Sequence, residues 1–423
     1  MKKPVHQDDF KRFDFSRKPK RQHLCLLPLA WLLSYPSVWK HRAKINRVNM
    51  EGLKPPYLLL CNHNAFMDFK VTTAAIFPSR ANYVVAIDGY IKREWLMRSM
   101  GCVCKRKFTN DATMVRHLHH VVENGDIVAL YPEARYSLCG TNAVLPESLG
   151  KLAKFLKVPV VTLIMHGHHI NSPFWNLSER GNRTEATLSQ IITAEEIKTL
   201  SYTEINQRIN DKFNYDDFAW QKSNQIKITY KNRAKGLHKV LYQCPHCMAE
   251  YHMMSDGNRI WCNDCKKQWI MSEYGELSSP DGGTEFTHIP DWYEWERSQV
   301  RKEVEEERYF FSGPVSVMSL PNSKGFIPLG EGVLTHNSNG FLLTGVHNGQ
   351  PYKLEKSVHS LYSCHIEYDY LGKYGDCIDL NTLSDTYYIS PHDCEFSVTK
   401  MALATEELYN LECRRAFLNE SNA

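Results

Sequence analysis

Four short runs of uninterrupted apolar residues, at 57–61, 83–87, 127–131 and 158–164, constrain this chain more than any other feature. Runs of that length without polar alternation fit strands buried on both faces, as in a mainly parallel sheet covered by helices. The intervening sequence has the complementary period. Over residues 111–124 the apolar positions Met114, Val115, Leu118, Val121 and Val122 fall three and four apart, and Gly125 follows where a helix should stop. Residues 147–157 repeat the pattern with Leu149, Leu152, Ala153, Phe155 and Leu156, and residues 194–222 read as mostly helical. Strand, helix, strand in succession predicts an α/β domain with a central sheet.

A chain of 423 residues with 43% apolar and 23% charged residues can bury a core, which excludes wholesale disorder and a collagen-like fold. No uncharged run reaches eighteen apolar residues, which excludes a multi-span membrane protein. The net charge of +4 is unevenly spread: residues 1–50 hold twelve Lys or Arg against three Asp, leaving a net of −5 for residues 51–423. A basic end of this kind attracts an anionic lipid surface or nucleic acid. The stretch from Leu24 to Trp39 favours lipid. It is apolar and uncharged, contains Pro28 and Pro36, and is flanked by Arg17, Lys18, Lys20 and Arg21 before and by Lys40, Arg42 and Lys44 after. Residues 1–50 are therefore expected to form a membrane-associating segment that dips into one leaflet, the bland alternative being a helix that caps the core. No small-residue cleavage site follows the apolar stretch, so a signal peptide is not expected.

The thirteen cysteines are an odd number, and nine are scattered without paired spacing, which fits a reducing cytosol rather than a disulfide framework. The other four, Cys244, Cys247, Cys262 and Cys265, form the knuckles CPHC and CNDC, separated by fourteen residues. Two such knuckles complete a tetrahedral Zn²⁺ site closed to water, and the segment resembles a structural zinc ribbon. His166, His168 and His169 in MHGHH match no ligand spacing and read as a polar loop near the active face. His63 and Asp68 in CNHNAFMDF follow a predicted strand. Five residues apart on one helix they would diverge by about 140°, so they meet only if His63 lies in the loop and Asp68 in the first helical turn. A carboxylate so placed fixes the imidazole tautomer and leaves the other ring nitrogen basic.

Three further segments follow in order: GCVCKRK (101–107), LYPEARYS (130–137) and KVPVVTL (157–163). With the NHNAFMD segment they resemble the four blocks of the glycerolipid acyltransferase family, over about residues 45–175. The resemblance implies that His63 is the base that deprotonates a glycerol hydroxyl, oriented by Asp68, for attack on the thioester of acyl-CoA or acyl-carrier protein. It implies that Lys105, Arg106 and Lys107 hold the acceptor phosphate, that Glu133, Arg135 and Ser137 serve the acceptor in the third block, and that Val158, Pro159 and Val160 lie near the acyl chain. The family usually reads Pro-Glu-Gly-Thr-Arg-Ser in the third block. Here the residues are Pro132, Glu133, Ala134, Arg135, Tyr136 and Ser137, with the arginine one place early, and the second block is one residue short between Gly101 and Arg106.

The expected organisation is a membrane-associating segment (1–50), an acyltransferase domain (51–235), a zinc ribbon (236–280), a linker with a charged, solvated helix (281–309) and a β-rich domain with a closing helix (310–423) that resembles a pleckstrin-homology barrel. The expected activity is transfer of a fatty acyl chain to a lysophospholipid, foremost 1-acylglycerol-3-phosphate, with another glycerolipid or a glycolipid acceptor as alternative. Structural zinc is the expected metal, no redox cofactor is needed, and the expected location is cytoplasmic, on the inner face of the membrane. A zinc-ribbon adaptor contacting nucleic acid is the competing class. The ribbon is only modestly basic, with Lys239, Arg259, Lys266 and Lys267 and no stripe of cations with interleaved aromatics, so nucleic acid is not the expected partner.

Overall fold

The computed structural model describes residues 10–421, so residues 1–9 of the basic segment lie outside the described residues. The strands β1 (Lys44–Val48), β2 (Leu58–Cys61), β3 (Ala81–Ala86), β4 (Val103–Lys105), β5 (Ile127–Leu130), β6 (Val160–His166) and β7 (Glu185–Ile192) form one sheet in the order β1-β7-β6-β2-β5-β3-β4. Every neighbouring pair is parallel except β6 with β7. The helices around it are α1 (Leu26–Lys40), α2 (Asp68–Ala75), α3 (Glu94–Ser99), α4 (Ala112–Glu123), α5 (Ser148–Leu156), α6 (His168–Asn171), α7 (Glu196–Thr199), α8 (Tyr202–Phe213) and α9 (Asp217–Ser223).

Strand β2 shows why the apolar runs are continuous. Leu58 and Leu60 pack with α4, α5 and α8 through Leu118, Ala153 and Ile209, whereas Leu59 and Cys61 face Val38 of α1 and Val71 and Ala74 of α2. Successive side chains point to opposite faces, and both faces are covered. All four β2 side chains are fully buried. At about 1.5–3 kcal/mol for each fully buried large apolar side chain, this strand alone is a substantial part of the driving force.

Four antiparallel strands, β8 (Met253–Asp256), β9 (Arg259–Cys262), β10 (Gln268–Met271) and β11 (Leu277–Ser278), follow in the order β11-β10-β9-β8. Helix α10 (Ile289–Glu305) leads into an antiparallel sheet of β12 (Phe311–Ser319), β13 (Ile327–Asn337), β14 (Gly340–His347), β15 (Gln350–Lys356), β16 (His365–Glu367), β17 (Cys377–Asn381) and β18 (Thr386–Pro391). Its order is β15-β14-β13-β12-β18-β17-β16, and α11 (Val398–Ser421) closes it.

Several elements differ from the sequence expectation, the short strands β1 and β4 among them. Strand β7 was not anticipated, because EATLSQII mixes apolar and polar residues and its pairing with β6 and β1 is a tertiary event. Helix α10 is not a solvated helix. Its charges hide an inward stripe of Trp292, Tyr293, Glu296, Val300 and Val304, and the helix packs against α11. Nor do its charges pair only along the helix: Arg297 and Arg301 reach Glu406 and Glu407 of α11 at 2.6 and 2.7 Å. Glu406 is buried and also takes Arg135 at 2.7 Å. Removing one charge from such a network strands its partners in low dielectric. Glu406→Gln is therefore expected to cost about 3–5 kcal/mol, read as a lowered urea midpoint of the full chain; an unchanged midpoint would show the network to be dispensable.

Candidate active site

The strands β6, β2 and β5 are parallel neighbours, so their carboxyl ends lie on one edge of the sheet, where α/β folds place their ligands. The segments leaving that edge carry His63, Glu133 and His168. After β2 the Asn62 side chain anchors the loop, its Nδ2 donating to the Met165 carbonyl and its Oδ1 accepting from the Met165 N–H, both at 2.8 Å. The His63 backbone is then pinned from the β5 side. Its N–H donates to Glu133 Oε2 at 2.6 Å, and its carbonyl accepts from the Ser137 N–H at 2.8 Å.

Asp68 is the first residue of α2, and His63 stands in the loop before it. Asp68 Oδ2 accepts from the Asn64 and Ala65 N–H groups at 2.6 and 3.0 Å and lies 3.0 Å from His63 Nδ1. Its other oxygen lies 2.6 Å from His168 Nδ1. Burial alone would raise the Asp68 pKa, but the hydrogen bonds from His168 and His63 outweigh it and bring it down to about 2. An ionised carboxylate only accepts, so both imidazoles present Nδ1–H to it. His63 Nε2 is left as the basic nitrogen. The His63 ring lies between Tyr131 and Tyr136, with centroids at 4.4 and 4.3 Å, which fixes its plane. Its side chain retains 25% exposure, so the ring is reachable from outside.

Glu133 is buried, which pushes its pKa up to about 7 against hydrogen bonds from the Ala143 N–H, the His63 N–H and the Tyr215 hydroxyl. It orders the loop that carries His63. Ser137 faces Thr141, donating to its carbonyl at 2.6 Å.

The expected cations are placed differently. Lys105 Nζ donates to the Thr109 carbonyl at 3.0 Å. Arg106 is fully buried, with Nη1 donating to the Leu320 carbonyl and Thr386 Oγ1, and Nη2 to the carbonyls of Pro321 and Ser384. Lys107 lies 3.4 Å from Asp379 and 3.6 Å from Asp88, and Arg135 is bonded to Glu406. The structure thus gathers His63, Asp68, Glu133 and the Ser137 backbone, while Arg106 and Arg135 turn to the C-terminal sheet and α11.

His168 is the residue that the sequence did not reveal. MHGHH lies beside the site, as expected, but as the start of a buried helix rather than a loop: His168 and His169 are fully buried at the start of α6. Gly167 takes a φ of +83°, and a Cβ there would lie 2.8 Å from Trp220. That left-handed turn bends the chain at the end of β6 and brings His168 to Asp68. His169 is held neutral by burial, its pKa lowered to about 4.

The four knuckle cysteines also meet. Their sulfurs lie within 4.8 Å of one another, with Cys244 to Cys265 and Cys247 to Cys262 both at 3.7 Å. A tetrahedral ion with metal–sulfur bonds of about 2.3 Å sets sulfurs about 3.8 Å apart, so the cluster is ready-shaped for a metal. His246 pairs with Glu285 and His252 with Asp264, so neither competes for a coordination position.

Among known proteins, residues 41–166 match the family described as Acyltransferase. No curated protein matches this chain. One solved structure, the 1-acyl-sn-glycerophosphate (LPA) acyltransferase PlsC from Thermotoga maritima, aligns over 44% of this chain and 76% of its own, at 13% identity and a TM-score of 0.38. Residues 41–166 contain all four blocks whole, together with the strands that lead into the His63 and Glu133 loops, so the segment that builds this site is the segment that carries the Acyltransferase-family domain.

Proposed function

We propose that this enzyme moves a fatty acyl chain from the thioester of acyl-CoA or acyl-carrier protein to a hydroxyl of a lysophospholipid or related glycerolipid. The observation that carries the reading is the His63–Asp68 pair at the carboxyl edge of β2, with Nδ1 tied to the carboxylate at 3.0 Å. His63 Nε2 takes the hydroxyl proton as the alcohol oxygen forms its bond to the thioester carbonyl carbon. The tetrahedral intermediate collapses with cleavage of the carbon–sulfur bond, and the imidazolium returns the proton to the departing thiolate. The acyl group is already activated, so a positioned base supplies about 10²–10⁴ in rate.

Helix α1 supports the membrane part of the reading. Its buried residues are Ser34, Ser37 and Val38, whereas Leu29, Leu32, Leu33 and Trp39 are exposed, an arrangement inverted for a helix in water. Phe66, Phe69 and Phe77 at the two ends of the adjoining α2 add to the exposed apolar surface, and Arg17, Lys18, Lys20 and Arg42 are exposed near the helix ends. Among the described residues no helix is long and apolar enough to cross a bilayer, so the mode proposed is interfacial, with the apolar face in the acyl region and the cations at headgroups. The four-cysteine cluster is proposed to hold a structural Zn²⁺, which organises the two knuckles and takes no part in the transfer.

His63→Ala should lower kcat by at least about 100-fold while the far-UV spectrum and liposome binding are kept; near-normal turnover would remove His63 from the reaction. Replacing Leu32 and Leu33 together by Ser should weaken flotation with anionic liposomes by about tenfold or more, since each leucine withdrawn from lipid forfeits up to about 1.5–3 kcal/mol. Equal flotation of the two proteins would refute the α1 contact. Elemental analysis of the full chain should give one zinc per molecule, and Cys262→Ser should lose it together with part of the thermal stability; an iron–sulfur absorption band would exclude zinc.

A further inference from the structure

Arg106 and Lys107, which the second block brings near this site, are taken up by the C-terminal sheet. All four Arg106 bonds from Nη1 and Nη2, at 2.7–3.0 Å, end on oxygens of residues 320, 321, 384 and 386. A guanidinium held by that many acceptors, itself only 1% exposed, has no bidentate face to offer a phosphate. Lys107 is likewise enclosed, with His365 Nε2 at 3.0 Å, Asp379 at 3.4 Å and Asp88 at 3.6 Å. Arg135 shares Glu406 with Arg297 and Ser363.

What replaces them beside the base is uncharged or acidic. Tyr136, at the position where the family's third block has its arginine, stacks on His63 at 4.3 Å. From Tyr136 an aromatic path through Phe174, at 5.7 Å, reaches Tyr368, at a further 5.2 Å, next to Glu367 at the end of β16. Burial raises the pKa of the Tyr136 hydroxyl, and the charges of Asp68, Glu367 and Asp88 add to the rise. Beside His63, among the described residues, the polar groups that geometry places are the Asp68 carboxylate at 3.0 Å and the Tyr136 ring at 4.3 Å, with no guanidinium; a carboxylate and a tyrosine hydroxyl are suitable partners for sugar or glycerol hydroxyls.

Resting on the acyl-transfer reading above, we propose that the acceptor is a lipid with a neutral polyol headgroup, and that Arg106, Lys107 and Arg135 fasten the C-terminal sheet and α11 to the acyltransferase domain rather than hold an acceptor phosphate. The test uses the full chain with one labelled acyl-CoA and three detergent-dispersed acceptors carrying the same single acyl chain: 1-acylglycerol-3-phosphate, 1-acylglycerol and an acylated neutral hexoside. The expected result is a kcat/KM for at least one neutral acceptor tenfold or more above that for the phosphomonoester. The opposite preference, accompanied by a rise of tenfold or more in the KM for 1-acylglycerol-3-phosphate in Lys107→Gln with kcat retained, would overturn the proposal. Thiol release that never exceeds the His63→Ala background with any acceptor would overturn the acyl-transfer reading itself, and the acceptor class with it.

Discussion

The Asp68 carboxylate is the point on which the site depends. A fully buried carboxylate is tolerated only when its charge is met by hydrogen bonds, and here the Asn64 and Ala65 amides and two imidazoles supply them. The first residue of α2 is the favourable place for a negative charge, because the unpaired N–H groups of the helix start point toward it. One group therefore ties together the loop after β2, the start of α2 and the turn after β6. The His63 ring is aimed by a knot of three segments. Glu133 performs the matching task from the β5 side through the His63 N–H.

The rest of the chain reaches this knot through contiguous packing. The cysteine knuckles frame β9, and Trp269 of β10 meets Trp292 of α10 edge to face at 4.8 Å. The Trp292 indole donates to the Gln243 carbonyl at 3.0 Å, and Glu296 accepts the Gln243 N–H at 2.8 Å. Helix α10 then holds α11 through Arg297 and Arg301, and α11 in turn holds Arg135, two residues from Glu133. The metal-ready cluster and the C-terminal sheet thus buttress the third block from behind.

What the sequence disclosed and what it withheld divide along the range of the interaction. Strands β2, β5 and β6 were legible because burial on both faces writes itself into a few adjacent residues, and the His63–Asp68 geometry was legible because five residues allow only one meeting. The knuckles were legible for the same reason. Strand β7, the inward stripe of α10 and the role of His168 were not, because each is decided by a partner far away: β7 by β1, α10 by α11, and His168 by a carboxylate a hundred positions earlier. Arg106 is the sharpest case. A basic triplet in a turn looks solvated, and only the fold reveals carbonyls more than two hundred residues later in the chain.

The altered third block is where these ranges meet. Ala134 keeps a left-handed backbone, φ +56°, at the place where the family carries glycine, so the turn has been retained although a Cβ there costs about 1–2 kcal/mol. With the turn fixed, moving arginine one place earlier exchanges the directions of two neighbouring side chains. Arg135 points to α11 and meets Glu406, and Tyr136 takes the place against the His63 ring. A cation is thereby withdrawn from the base and used to dock a helix, and an aromatic hydroxyl is put in its stead. The same shift in register that gives α11 its partner places a tyrosine ring against His63, so the docking of the C-terminal region and the surroundings of His63 are set together.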